Sequence, residues 1–217
     1  MFEYRGVKIT WLGHDSFHIR NGTTIIIDPF RLRSSPGMAD ILLISHEHFD
    51  HMSPDDIRKV AGEKTTIVTT PAVKKELSGF KVKEIKTAKP GDKLTIGDVG
   101  IEILPAYNLN KFREPGKVFH PKADGKLGFV IGIKGTRIYH AADTDAIPEM
   151  NGLKPDVALL PVSGTYVMTA EEAAQAAKMI EPKLAIPMHY GSIVGSEQDA
   201  QTFKQLASCQ VQILEPE

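Results

Sequence analysis

Four side chains able to bind a metal ion fall within one short stretch, His46-Glu47-His48-Phe49-Asp50-His51. Imidazole together with carboxylate suits zinc, manganese or iron better than calcium or magnesium, which prefer oxygen ligands alone. His46 and His48 are two residues apart, so their side chains project to the same side of an extended segment. Asp50 and His51 are adjacent and point in different directions. The economical interpretation is two metal ions, one on each pair; the alternative is a polar loop that happens to be rich in histidine.

The elements on either side of this stretch indicate how it is held. The apolar run 41–45 is typical of a buried strand. Ser53 is a favourable helix N-cap, and Pro54 and Asp55 fit the first turn of a helix that begins there. We therefore expect the four ligands on a loop that leaves a strand, where a rigid scaffold commonly carries chemistry.

Length and charge restrict the class of protein. The 217 residues predict a single domain over 1–217, and the lone Cys209 excludes an intramolecular disulfide, which fits a reducing compartment. The 26 basic and 27 acidic residues nearly balance, so no global field attracts nucleic acid or an anionic membrane. No signal peptide and no membrane-spanning apolar run is evident. We expect a cytoplasmic protein that acts on a small molecule without a nucleic-acid or membrane partner; a homo-oligomer is not indicated.

The hydrophobic pattern predicts strands and short helices in the first half of the chain. The strands there are 6–12, 16–20, 23–28, 41–45, 65–69 and 81–87, and the helices are 54–61 and 71–78. Two hairpins follow, one joining 93–96 to 101–104 and the other joining 127–133 to 137–142. Between the hairpins, several prolines predict an irregular segment over 105–125. Helices are expected near 170–180 and 197–207, each after a strand.

A partial repeat bears on the architecture. Asp40 to Ser53 and Asp156 to Thr169 are equally spaced, and in both cases an apolar strand, a loop and a capped helix follow in the same register. If the repeat is real, two similar halves pack their sheets face to face with helices outside. The alternative is that any unit of strand, loop and helix would look this similar.

The pattern His46-x-His48-x-Asp50-His51 after a hydrophobic strand resembles the H-x-H-x-D-H signature of the metallo-β-lactamase superfamily. Further segments resemble motifs of the branch that contains ascorbate-6-phosphate lactonase and N-acyl-phosphatidylethanolamine phospholipase D. They are Ile9–Phe17 with its Gly-His-Asp-Ser-Phe, Ile27–Pro29, Tyr139–Asp145 and Pro187–Gly191. The resemblance implies an α/β (α+β) fold, a four-layer αββα sandwich of two pseudo-repeated halves whose loops meet at one edge.

Three residues outside the hexapeptide are expected at this edge. Two metal ions need a charge-balancing acid, and Asp143, after a strand that ends in small residues, is the best candidate; the resemblance gives it the bridging role. A turn-forming aspartate is the alternative. His189 also ends a strand and is expected to bind the metal of Asp50 and His51. His14 is expected to support a ligand, with a buried histidine satisfied by backbone as the alternative.

One position departs from the family pattern. Superfamily members usually carry a histidine between the first motif and the bridging aspartate, and Asn108 occupies that position here. An amide is a weaker ligand than imidazole. His120 is the nearest histidine, and we expect it to bind substrate or to support a ligand; direct ligation and a surface histidine are the alternatives. Water or Asn108 itself would otherwise complete the first metal's shell.

These residues favour metal-assisted hydrolysis. A water that bridges two divalent ions, zinc or manganese, would lose a proton near neutral pH and attack an ester-like bond of a phosphodiester or lactone. Asp50 and Asp143 would orient that nucleophile as the catalytic residues. Lys111, Arg113 and Lys117 are candidates to receive an anionic substrate. The alternatives are an iron-dependent redox enzyme on the same fold and a non-catalytic metal-binding module.

Overall fold

The computed structural model describes residues 1–217, which form two mixed seven-stranded sheets. The first half of the chain contains β1 (Phe2–Tyr4), β2 (Val7–Gly13), β3 (Ser16–Asn21), β4 (Thr23–Ile27), β5 (Ile41–Leu43), α1 (Pro54–Val60), β6 (Thr66–Thr69), α2 (Pro71–Glu76) and β7 (Glu84–Thr87). The second half contains β8 (Lys93–Ile96), β9 (Val99–Pro105), β10 (Phe112–Glu114), β11 (Lys117–Val118), β12 (Leu127–Ile133), β13 (Thr136–His140), β14 (Val157–Pro161), α3 (Ala170–Ile180), β15 (Leu184–Met188), α4 (Glu197–Leu206) and β16 (Gln210–Val211). Short 3₁₀ turns lie at Lys122–Asp124 and Pro148–Met150.

The two sheets have the same topology. The first runs in the order β1 to β7, and the second runs β8-β9-β12-β13-β14-β15-β16. In each sheet three antiparallel pairings are followed by three parallel ones. Strands β5 and β14 therefore occupy equivalent positions, as the repeat in the sequence predicts. The predicted sandwich of two halves is confirmed.

Alternation along the strands explains the layers. Ile25 and Ile27 of β4 lie in the large core that joins the two sheets, whereas Ile26 between them packs with Ile57 of α1 and Val73 of α2 on the outer face. Side chains of a strand point alternately to opposite faces, so one apolar strand can serve both layers. Each of these fully buried side chains contributes about 1.5–3 kcal/mol. The parallel strands are thereby fixed in register, and so are the loops that leave them.

Local signals set where the helices begin. The Ser53 side chain accepts a hydrogen bond from the Asp56 backbone, and Pro54 follows it, as predicted. Thr169 and Glu172 form a reciprocal capping box at the start of α3. The predicted helix 170–180 has the observed bounds, and the predicted helices 54–61, 71–78 and 197–207 end one or two residues early. None of the helices is long and apolar enough to cross a membrane.

Several predicted bounds are wrong. The strand predicted over 81–87 begins only at Glu84, because its neighbour β6 offers four residues for pairing. The segment 105–125, predicted as irregular, contains the β10–β11 hairpin and a 3₁₀ turn. The short edge strands β1 and β16 were not predicted, since each has too few residues to show a periodic pattern.

A buried hydroxyl in the core allows a test of the packing. The Tyr139 hydroxyl is fully buried without a hydrogen-bond partner, whereas the Tyr107 hydroxyl donates to Glu149 at 3.0 Å. Tyr139→Phe should leave the free energy of unfolding unchanged or raise it by about 1 kcal/mol, because it removes an unsatisfied polar group. Tyr107→Phe, the matched control, should lower it by about 1 kcal/mol. Urea denaturation of the metal-free protein measures both, and a clear loss in Tyr139→Phe would contradict this packing.

Candidate metal centre

The candidate ligands lie where the carboxyl ends of strands from both sheets meet. His46 follows β5, Asp143 follows β13 and His189 follows β15. His120 lies on the excursion between β9 and β12. Because these two strands pair antiparallel, the ends of the excursion are adjacent, and the Asn108 backbone donates to the His120 carbonyl at 2.8 Å. Residues far apart in the chain therefore converge at one edge.

A first cluster contains His46, His48, His120 and Asp143, whose candidate ligand atoms all lie within 4.8 Å of one another. The Nε2 atom of His120 is 3.3 Å from Asp143 Oδ2 and 3.3 Å from His48 Nδ1. The Nε2 atom of His46 is 3.9 Å from the same Asp143 oxygen. Three imidazoles and a carboxylate in this arrangement match the donor set of a tetrahedral metal site.

A second cluster lies on the other side of Asp143. The Asp143 Oδ1 atom is 3.2 Å from His51 Nε2 and 3.3 Å from His189 Nε2. Asp50 Oδ2 is 3.8 Å from His51 Nε2. One oxygen of Asp143 thus faces each cluster, and the four side chains His46, His51, Asp143 and His189 are almost completely buried.

Hydrogen bonds leave the ligand atoms free. His46 Nδ1 donates to Ser45 Oγ at 2.9 Å, and His189 Nδ1 donates to Ser163 Oγ at 3.0 Å. In each ring Nε2 then points into the centre. Neither these two atoms, His51 Nε2 nor Asp143 Oδ1 has a hydrogen-bond partner. Buried polar atoms are rarely left unpaired. Three unpaired imidazole nitrogens that converge on one carboxylate with an unpaired oxygen of its own fit bound cations.

Burial keeps the imidazoles of the first cluster uncharged. It lowers the pKa of His46 well below the ordinary value and lowers the pKa of His120 to about 4, and the opposing effect of Asp143 is smaller. Burial also lowers the pKa of His48. These imidazoles are neutral at pH 7, which is the form that binds a metal.

The second cluster is dominated by attraction between opposite charges. Burial alone would lower the pKa of His51, but Asp143 and Asp28 outweigh it and hold that pKa well above its ordinary value. Burial opposes ionisation of Asp143 as well, yet His51 and His189 keep the pKa of this carboxyl well below its usual range. A cation bound here would take the place of the imidazolium protons as the partner of Asp143.

Asp28 supports this cluster and had no predicted role. His51 Nδ1 donates to Asp28 Oδ2 at 2.8 Å, and the backbone and hydroxyl of Ser45 donate to the same carboxylate at 2.7 Å and 2.5 Å. A carboxylate behind a metal-binding histidine fixes its tautomer and orientation. The signal in the sequence is Ile27-Asp28-Pro29, directly after a strand.

His14 lies where it was expected, beside a candidate ligand. Its Nε2 atom donates to Asp50 Oδ2 at 3.0 Å. Burial lowers the pKa of His14 to about 4, and although burial opposes the ionisation of Asp50, the bond from His14 brings the pKa of that carboxyl down to about 2. Asp50 is thus held as an anion with one oxygen committed to His14.

Asn108 does not take the position of the missing histidine. Its Oδ1 atom accepts hydrogen bonds from the Nδ1 and the backbone N of His120, both at 2.9 Å, and its amide donates to the Tyr166 carbonyl at 2.8 Å. The side chain therefore faces away from the first cluster and orients His120, which occupies the cluster itself. Sequence reasoning favoured a substrate-binding or supporting role for His120, and its geometry matches the ligand alternative.

Two further buried residues have no counterpart among the predicted ones. Lys126 Nζ lies 3.2 Å from Glu47 Oε1 and 3.4 Å from His48 Nε2, almost wholly out of solvent. Asp15 is fully buried, and burial raises its pKa to about 8. Lysine and aspartate are so common on surfaces that neither position carried a signal, although Asp15 lies inside the opening motif.

Comparison with known proteins identifies the family. A family model described as the beta-lactamase superfamily domain matches residues 8–189. The UPF0173 metal-dependent hydrolase of Methanopyrus kandleri is 32% identical over 97% of each chain. The chain belongs to the beta-lactamase superfamily and, within it, to the UPF0173 metal-dependent hydrolases. A provisionally described metal-dependent hydrolase from Parabacteroides distasonis has a similar structure, with a TM-score of 0.84 and 34% identity over 97% of this chain and 94% of the other. Igni18, a metallo hydrolase from Ignicoccus hospitalis, has a TM-score of 0.75 and 26% identity over 97% and 95%.

The hydrogen bond from His51 to Asp28 yields a test in this member of the UPF0173 metal-dependent hydrolases. Asp28→Asn should weaken metal binding by about 10–100-fold, because the amide is uncharged and has one acceptor oxygen in place of the two that Ser45 and His51 use. Competition with a chromophoric chelator measures the dissociation constant. Asp40→Asn is the matched control, since this exposed carboxylate accepts a backbone bond from Thr24 at the other end of the same sheet. Equal affinities in the two variants would contradict the role of Asp28.

Proposed function

We propose that this protein hydrolyses an ester-like bond of a small anionic substrate, with two divalent metal ions as cofactors. The observation that carries the proposal is the carboxylate of Asp143, with one oxygen toward each cluster. His46, His48 and His120 would hold the first ion, and Asp50, His51 and His189 the second, with Asp143 shared. Zinc or manganese fits this mixture of imidazole and carboxylate.

Each residue of the centre has a separate role in the proposed reaction. A pair of divalent ions supplies an activated water and polarises the bond under attack. Asp143 and Asp50 are the proposed catalytic residues: both are held as anions and can accept a hydrogen bond that orients the attacking water. His14 holds Asp50 in place, and Asn108 holds His120. These groups are almost completely buried, which limits their contact with bulk water.

Basic groups near the centre are candidates to receive an anionic substrate. A cavity of about 300 Å³ beside His14 is lined by Arg31 and Arg33, together with Glu197 and Glu215. The buried ammonium of Lys126 adjoins the first cluster and is paired with Glu47. Lys111 does not serve this purpose, because it is paired with Glu172 at 2.6 Å and Asp145 at 3.4 Å. A phosphodiester or a lactone, as in the branch that the opening motif resembles, fits a centre with this charge.

Purification with and without oxygen, followed by metal analysis, separates the proposal from its rivals. Zinc or manganese in the protein supports hydrolysis, and iron would support the redox alternative. Two bound ions without turnover on phosphodiesters or lactones would favour a metal-binding module. A cytoplasmic location, a single domain and the absence of nucleic-acid partners stay predictions.

Replacement of the shared carboxylate is the direct test. Asp143→Ala should lower the rate of hydrolysis by about 100–1,000-fold or more, because both ions lose a ligand and the water loses its acceptor. Initial rates on phosphodiesters and lactones with added zinc or manganese measure the effect. Asp124→Ala, an exposed carboxylate on a 3₁₀ turn, should keep the full rate. Undiminished turnover in Asp143→Ala would defeat the mechanism.

The role of His120 has its own test. His120→Ala should reduce the metal content after dialysis from two ions per chain to one, since only the first cluster loses a ligand. Elemental analysis gives the ratio. His18→Ala removes a half-buried histidine of β3 and should retain both ions. Two tightly held ions in His120→Ala would return this residue to a role in substrate binding.

A further inference from the structure

The turn between β2 and β3 is unusual in being buried. It consists of His14 and Asp15, which are 1% and 0% exposed, although turns normally face water. The second half of the chain holds it from the other side. His140 Nε2 donates to the Asp15 carbonyl at 2.9 Å, and the His189 backbone donates to the His14 carbonyl at 3.1 Å. The turn is therefore held rigidly between the two halves.

The Asp15 carboxylate has no partner in this position. Neither of its oxygens makes a hydrogen bond, and the closest ionisable contact is Oδ2 to His51 Nδ1 at 3.9 Å, where the imidazole proton is already given to Asp28. A buried carboxyl group whose two oxygens both lack a hydrogen-bond partner is unfavourable. A cation bound beside Asp15 would give these oxygens a partner.

The surroundings indicate what that cation is. An oxygen of Asp15 lies within 4.8 Å of the ligand atoms of His51, Asp143 and His189, and a separate group joins His14 and Asp50 to the same two histidines. The two groups share His51 and His189, so Asp50 and Asp15 both adjoin the site of the second ion. Three carboxylates and two imidazoles exceed the four ligands of a tetrahedral zinc site.

From this geometry we infer that Asp15 is a further ligand of the second ion and that it makes this site select a harder ion, manganese(II), over zinc. The inference rests on the proposed two-metal function and adds a ligand and a metal preference to it. Oxygen-rich shells with more than four ligands suit manganese, whereas zinc is satisfied by four ligands that include imidazole. The first cluster, with three imidazoles and one carboxylate, carries no such preference for manganese.

Metal binding by Asp15→Asn tests the inference without reference to activity. Metal-free wild type, Asp15→Asn and Asp156→Asn are titrated separately with manganese(II) and zinc(II) in equilibrium dialysis. Asp156 is a buried carboxylate paired with Lys183 at the opposite ends of the strands, so it is the matched control. We expect Asp15→Asn to weaken manganese binding at one site by about 10–100-fold, with zinc binding changed less than about threefold, and Asp156→Asn to change neither.

Thermal unfolding of the same proteins excludes a merely structural role. Without metal, Asp15→Asn should unfold at an equal or higher temperature than wild type, because it removes a buried carboxyl group that has no hydrogen-bond partner. With manganese, its stabilisation should be smaller than that of wild type. Three results for Asp15→Asn would overturn the inference. Its affinity for manganese could be unchanged, or its affinities for manganese and zinc could fall equally. Alternatively, the metal-free variant could be less stable than wild type and yet be stabilised by manganese as much as wild type is. If wild type binds neither metal, the proposed function fails; if wild type binds two ions and Asp15→Asn behaves like wild type, only this inference fails.

Discussion

The carboxylate of Asp143 is the point on which the arrangement of the centre depends. It lies between the imidazoles of the first cluster and those of the second, and one of its oxygens faces each cluster. The histidines of both clusters come from loops of both sheets, including the excursion between β9 and β12. Burial alone would lower the pKa of His51 and of His189, but the negative charge of Asp143 helps to raise both. The same attraction would be available to two divalent ions, which makes the proposed cofactors a natural replacement for the protons.

The residues behind the ligands determine which atoms face the centre. Four histidines of the centre each donate a hydrogen bond from Nδ1, so that Nε2 faces the centre. The acceptors are Ser45, Ser163, Asp28 and Asn108. This common pattern is built from unrelated segments of the chain. It explains why Asn108 belongs to the site although it is not a ligand, since an amide oxygen is as suitable an acceptor for an imidazole proton as a hydroxyl.

The backbone at this edge is strained where the strands end. Asp28 after β4, Ala142 after β13 and His189 after β15 all have positive φ, between 41° and 60°. A left-handed conformation costs a non-glycine residue about 1–2 kcal/mol, and such residues gather at functional sites. Backbone hydrogen bonds between the two halves of the chain, from Leu127 to Ser45 and from His189 to His14, hold the loops in place. The packing of the two sheets thereby offsets the free-energy cost of the strained backbone.

The amino-acid sequence by itself predicted the elements and most residues of the candidate centre. Apolar alternation, caps and the repeat predicted the sandwich, and the hexapeptide, Asp143 and His189 predicted which side chains meet, because each of these signals is local or lies at a strand end. The tertiary structure alone decided the places of His120, Asp28 and Asp15. His120 reaches the first cluster because antiparallel β9 and β12 bring both ends of a long excursion together. Asp15 is buried because the second half of the chain closes over its turn. These residues come close to the centre through contacts between segments that are distant in the chain. The local spacing of residues does not indicate such contacts.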